Sequence, residues 1–189
     1  MVKYELFTKD LIVRPARVFR DIARHPDAYF KGALVLLVVN ALLSAIITTI
    51  PLPVLTGSQK DAAPSGLQTF LLAPLFVLIQ TAFVLLGSKI FKGRATFKKV
   101  FYALTHISLL TVVLFIPGLL IIFFVPILYL VFGILSILWV ILLMIIAIKE
   151  INEFSVWRAI GAFVVPLLIL IGILVVIVLL VVILAGFLV

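Results

Sequence analysis

The chain contains no cysteine. That excludes disulfides, thiolate metal sites and a cysteine nucleophile. Charge is also scarce: Asp, Glu, Lys and Arg together make up 12% of the residues, half the share of a soluble domain. Residues 100–148 hold none of the four, and neither do residues 159–189. No apolar run carries one of them in its interior. Proton- or ion-coupled transport and intramembrane aspartyl proteolysis both need charge at depth, so both are disfavoured. The motifs G-x-S-x-G and G-x-x-x-x-G-K-[ST] are missing, which leaves an elbow-type hydrolase and a P-loop unsupported. No H-E-x-x-H or comparable pair exists, so neither a metal nor another cofactor is expected. G-x-x-x-G is missing too, so that close-packing motif does not set dimerisation. There is no tandem repeat of solenoid period and no inverted repeat.

What is present is hydrocarbon: 66% of the 189 residues are hydrophobic. The fold class that follows is an all-α integral membrane protein with one membrane domain. A span needs about 20 apolar residues, and five runs qualify, at about 32–50, 67–90, 100–119, 124–148 and 159–185. The block from 100 to 148 must hold two of them, because one helix of that length would measure about 70 Å. "IPGLLIIFFVP" divides it: Pro117-Gly118 reads as a turn or kink, and Pro126 suits the first turn of a new helix. The last run is longer than a bilayer requires. It should tilt, kink near Pro166, or end beyond the membrane.

The cations fix the expected topology. Residues 1–31 hold seven, the second loop around "KIFKGRATFKK" holds five with no acid, and the fourth loop, "KEINEFSVWR", holds two. The first loop has only Lys60, and the third loop and the C-terminus have none. Five spans with the N-terminus cytoplasmic and the C-terminus outside put 14 of 15 cations on one side, as the positive-inside rule requires. The net charge of +8 therefore speaks for membrane topology, and no nucleic-acid partner is expected. A cytoplasmic-type cell membrane is the expected location, since helical spans are unlike outer-membrane barrels.

The division expected is a cytoplasmic, interfacial segment over 1–31 and a five-helix transmembrane domain over 32–189. The first segment is too charged for a signal peptide. Between Pro15 and His25, Val18, Phe19 and Ile22 share one helical face, and Arg17, Arg20 and Arg24 the other. That is an amphipathic helix suited to lying on a membrane. Pro26 ends it. The first loop, "PLPVLTGSQKDAAPSG", should be irregular and exposed. In the fourth loop, Trp157 sits at the interface, Glu150 and Glu153 are three residues apart, and Arg158 could cap or pair locally. That turn need do no more than fix a helical hairpin.

Two sets of candidate residues remain. Arg17, Arg20 and Arg24, with Lys89, Lys92, Arg94, Lys98 and Lys99, could contact anionic headgroups, each at about 1 kcal/mol, or a protein partner. Asn40, Gln80 and His106 are the strong polar groups within the spans. They read first as interhelical glue. A polar path for a small solute is the other reading.

Three stretches carry a resemblance. "RPARVFRDIARHPDAYFKGAL" leads into the first span, "KGRATFKKVFYALTHIS" into the third, and "LWVILLMIIAIKEINEFSVWRAIGAFVVP" joins the fourth to the fifth. In this order they resemble the Yip (Ypt-interacting protein) domain family of five-span membrane proteins, in its prokaryotic type. The resemblance implies no catalytic constellation. Its eukaryotic relatives engage Rab-type GTPases through a longer cytoplasmic N-terminal region, so GTPase binding by that route is not expected of residues 1–31. The expected function is that of a non-enzymatic scaffold or adaptor, organising membrane or partner proteins through basic cytoplasmic loops, alone or as a homo-oligomer. The alternative is a small-solute transporter or channel-like permease using the polar residues of spans one to three.

Overall fold

The computed structural model of the chain describes residues 10–49, 62–124 and 126–187. They form a short helix, α1 (Pro15–Arg24), and five long ones: α2 (Pro26–Thr49), α3 (Ala62–Ile90), α4 (Phe97–Phe124), α5 (Pro126–Asn152) and α6 (Val156–Phe187). Each of the five is long and apolar enough to cross a membrane. No strand occurs among the described residues.

Proline marks several helix starts. Pro15 and Pro26 sit at the first positions of α1 and α2, where a missing N–H costs nothing, and Pro126 opens α5. Of the turn or kink expected at Pro117-Gly118, the turn does not form. Pro74, Pro117 and Pro166 all lie within helices, and α4 runs on through Pro117 to Phe124. In hydrocarbon a broken helix leaves backbone groups with no water to bind, so a proline is accommodated instead. α4 ends at Phe124 and α5 starts at Pro126. The first loop is also shorter than the sequence suggests: residues 62–66 already belong to α3. Residues 50–61, with Lys60 and Asp61, and residues 1–9 lie outside the described set.

The helices alternate in direction. Gly66, near the start of α3, lies against Thr49 and Ala45 at the end of α2. α2 and α4 run the same way: Asp27 meets Lys98 at their starts, and Asn40 meets Ser108 further along. One end of the bundle therefore gathers α1, the starts of α2, α4 and α6, and the ends of α3 and α5. Among the described residues the opposite end carries no Lys, Arg, Asp or Glu.

Packing follows hydropathy in reverse. α4 is the least hydropathic of the five and the most buried, with Val100 to Ile107 all enclosed. It is the centre of the bundle. α6 is the most hydropathic and the least buried. Ala159 and Ala162 are fully enclosed, but every residue from Leu167 to Val181 is exposed. Apolar packing between helices gains little in lipid, because lipid tails are as apolar as leucine. Helices with polar or small residues to hide therefore go inside. The hydroxyls of Thr81, Ser88, Thr105 and Thr111 donate to the carbonyls four residues back, at 2.7–2.8 Å, so none needs water.

α3 and α6 approach closely at Gly87. A Cβ added at Gly87 would lie 1.9 Å from the Ala162 carbonyl oxygen and 2.7 Å from the Pro166 ring. Gly87→Val should therefore destabilise the protein by about 1–3 kcal/mol through overpacking. Gly133, on α5, has nothing within 4 Å of an added Cβ, and Gly133→Ala should be neutral or stabilising by up to about 1 kcal/mol. Thermal unfolding in one detergent, followed by circular dichroism, compares the two. Equal tolerance at both positions would show that α6 does not depend on the Gly87 contact.

Candidate functional site

The ends of α3 and α5 are built alike. Each stops with a residue in the left-handed region, Lys92 at φ 59° and Glu153 at φ 57°. Gly93 N–H then donates to Ser88 O at 2.7 Å, and Phe154 N–H to Lys149 O at 2.9 Å. Both are Schellman caps, which satisfy the carbonyls that a helix end leaves open. Glycine normally takes the left-handed position. Lys and Glu pay about 1–2 kcal/mol there.

Asn152 ties the two ends together. Its Oδ1 accepts from the Ala95 amide at 2.9 Å, and its Nδ2 donates to Ser88 Oγ at 3.1 Å and to Ile148 O at 2.9 Å. Asn152 is buried, and Ala95 and Ser88 are fully so. Gly93 makes the approach possible: a Cβ there would stand 2.2 Å from Asn152 Oδ1 and 2.8 Å from the Phe154 ring. The glycine of "KGRA" serves close contact with α5, and the αL turn falls on the lysine before it.

Ion pairs surround this tie. Glu150 accepts from Arg20 of α1 through Nη2 at 2.9 Å and Nε at 3.0 Å, and from its neighbour Lys149 at 3.0 Å. Its side chain is 8% exposed. Arg94 reaches Glu153 at 3.4 Å, and Lys98 reaches Asp27 at 3.2 Å; all four of these side chains are exposed. The tyrosine of α2, Tyr29, donates to Asp21 of α1 and sets its ring edge-on to His106 of α4. The two acids of the fourth loop therefore pair outside their hairpin, with α1 and with the α3–α4 connection, and neither pairs with Arg158.

The predicted basic residues separate under this geometry. Arg20, Arg94 and Lys98 are ion-paired. Arg17 and Lys89 are exposed, as is Lys92 in its cap. Among the described residues Arg24 and Lys99 have no acidic partner, but they share with Arg20, Arg94 and Lys149 the wall of a cavity of about 560 Å³. Val18, Phe19 and Ile22 of α1 are buried by the protein itself, beneath which α5 lies.

The intramembrane polar residues make different contacts. Asn40 Nδ2 donates to Ser108 Oγ at 3.0 Å. His106 Nδ1 lies 2.6 Å from the Tyr102 carbonyl oxygen. Gln80 looks the other way, into an apolar groove between α3 and α6 lined by Phe83, Phe163 and Pro166. Asn152, Glu150 and Gly93 were not among the predicted site residues. Their signal was the crowding of polar types into two short turns, with nothing in the sequence to show that the turns touch.

The geometry joins all three stretches on which the family resemblance rests, and a Yip1 domain family model matches residues 9–188. The chain belongs to the Yip1 domain family. No curated protein and no solved structure matches it. With five apolar helices of spanning length, this Yip1 domain is a multi-pass membrane protein.

Two measurements test the tie. Asn152→Ala strands a buried amide, which should cost about 1–3 kcal/mol and speed hydrogen exchange at Ala95. Asn40→Leu, on another helix pair, should leave Ala95 exchange unchanged, and acceleration by both would make the effect global. In a double-mutant cycle, Arg20→Gln with Glu150→Gln should show coupling of about 1 kcal/mol, and Lys98→Gln with Asp27→Asn close to zero, because exposed pairs are worth little. Equal couplings would mean that burial of Glu150 does not strengthen its pair.

Proposed function

We propose that this Yip1 domain protein is a non-enzymatic scaffold or adaptor that organises a membrane through its charged end. That end faces the cytoplasm, the C-terminus lies outside, and α1 rests at the interface with Arg17, Arg20 and Arg24 towards water and headgroups. The membrane is of the cytoplasmic cell-membrane type. Anionic headgroups and a membrane or cytoplasmic protein are the partners, with self-association as a further mode, and nucleic acid is not one.

One observation carries this reading. Cations from α1, the α3–α4 connection and the α5–α6 turn are collected on one end, and a buried amide and a set of ion pairs hold them in place. A rigid charged platform serves recognition. The positive-inside rule supports its cytoplasmic placement. Solute transport through Asn40, Gln80 and His106 gains less support, because Asn40 bonds to Ser108, His106 lies at its own helix's Tyr102 carbonyl, and Gln80 lines an apolar groove between α3 and α6.

Photo-crosslinkers at Lys92 and Arg158, both exposed, test the proposal in native membranes. A discrete protein trapped at either position and identified by mass spectrometry is the expected result. Lipid alone at both positions would overturn the adaptor role, and solute flux in proteoliposomes would then be the next measurement.

A further inference from the structure

The cavity beside the tie has a charge pattern of its own. Its wall carries five cations, Arg20, Arg24, Arg94, Lys99 and Lys149. Against them stand two carboxylates, Glu150 and Glu153. The carboxylates are already engaged, Glu150 by Arg20 and Lys149, Glu153 by Arg94. Among the described residues, Arg24 from α1 and Lys99 from α4 therefore line the space with no acid paired to them. The net charge of the wall is +3. A cavity so lined concentrates anions, and an arginine fork with a lysine beside it matches phosphate.

The rest of the lining narrows the ligand. Ala23, Ile151 and Phe154 supply apolar surface, and Ile151 and Phe154 are buried. A volume of about 560 Å³ is in the range of small-molecule sites and much larger than an inorganic ion needs. Trp157 follows three residues after Phe154 and is 82% exposed, as suits an indole at the level of lipid headgroups. The ligand thus has phosphate, an apolar part, and a position at the edge of the hydrocarbon. An acidic protein segment offers carboxylates but needs neither the apolar floor nor the headgroup depth.

We infer that this cavity binds the phosphate headgroup of an anionic membrane lipid, with Arg24 and Lys99 as its direct ligands and Arg20, Arg94 and Lys149 as its fixed cationic wall. The inference rests on the proposed placement of the charged end at the membrane surface. It gives the headgroup contact a defined pocket and separates two of the basic residues from the rest of the patch.

Native mass spectrometry of the full-length protein in neutral detergent tests it, with phosphatidic acid, phosphatidylcholine, inorganic pyrophosphate and a poly-glutamate peptide as probes. Phosphatidic acid should bind, and phosphatidylcholine should not compete. Arg24→Gln with Lys99→Gln should weaken phosphatidic acid about 30-fold, at about 1 kcal/mol per cation. Lys31→Gln with Arg158→Gln removes the same charge at two exposed positions outside the cavity and should change binding less than about twofold. If the first pair does not fold, as read by circular dichroism, Lys99→Gln alone should weaken binding about fivefold. Equal losses for the two pairs would reduce the site to diffuse surface charge and overturn the inference. So would phosphatidylcholine binding equally well, or Arg24- and Lys99-dependent binding of pyrophosphate or poly-glutamate without the lipid. Protein capture at Lys92 or Arg158 is read separately, so the adaptor role and the lipid pocket can fail independently.

Discussion

The charged end depends on the amide of Asn152. A side chain with one acceptor and two donors is spent entirely on the backbone of α5, the backbone of the α3–α4 connection and a serine of α3. A carboxylate there would lose both donations, and an apolar residue would strand the Ala95 N–H in a place water does not reach. Gly93 must stay small for this contact, Lys92 must turn left-handed to deliver it, and Glu153 must do the same on the other helix. Strain at two caps is offset by one buried amide that holds both.

Around that tie the lipid sorts the helices. Hydrocarbon gives no reward for hiding a leucine, so the interior goes to the helix with polar groups to satisfy. α4 carries His106, Ser108, Thr105 and Thr111 and lies at the centre; α6 is almost purely aliphatic and lies outside. The hydroxyls of Thr81, Ser88, Thr105 and Thr111 bond within their own helices, and Asn40 bonds across to Ser108. This is the behaviour of glue, worth about 0.6 kcal/mol per contact on average. Among the described residues, ion pairs appear only where the helices emerge.

The number of spanning helices was legible from the charge-free runs and their lengths, and Pro126 marked the start of α5 because proline tolerates a first turn. At Pro117 the turn alternative failed, since proline's power to end a helix depends on water that is missing here. The basic residues of the charged end could be counted but not assigned. Arg20 and Glu150 are 130 residues apart, and Ala95 and Asn152 are 57 apart. Periodicity reports one helix at a time. It says nothing of which turns meet, so Asn152 looked like part of a hairpin and Gly93 like an ordinary turn glycine.

α6 has a mechanical consequence. It spans 32 residues, about 48 Å of helix, against a hydrocarbon thickness of about 30 Å. Its buried residues lie in its first turns, at Ala159, Ala162 and Pro166, whereas every residue from Leu167 to Val181 is exposed. Such a helix is a cantilever. A thinner bilayer forces it to lean further and a thicker one lets it stand, with the fulcrum where Gly87 meets Ala162. The torque is delivered to the start of α6, four residues beyond Asn152, so membrane thickness is a load on the same joint that holds the charged end together.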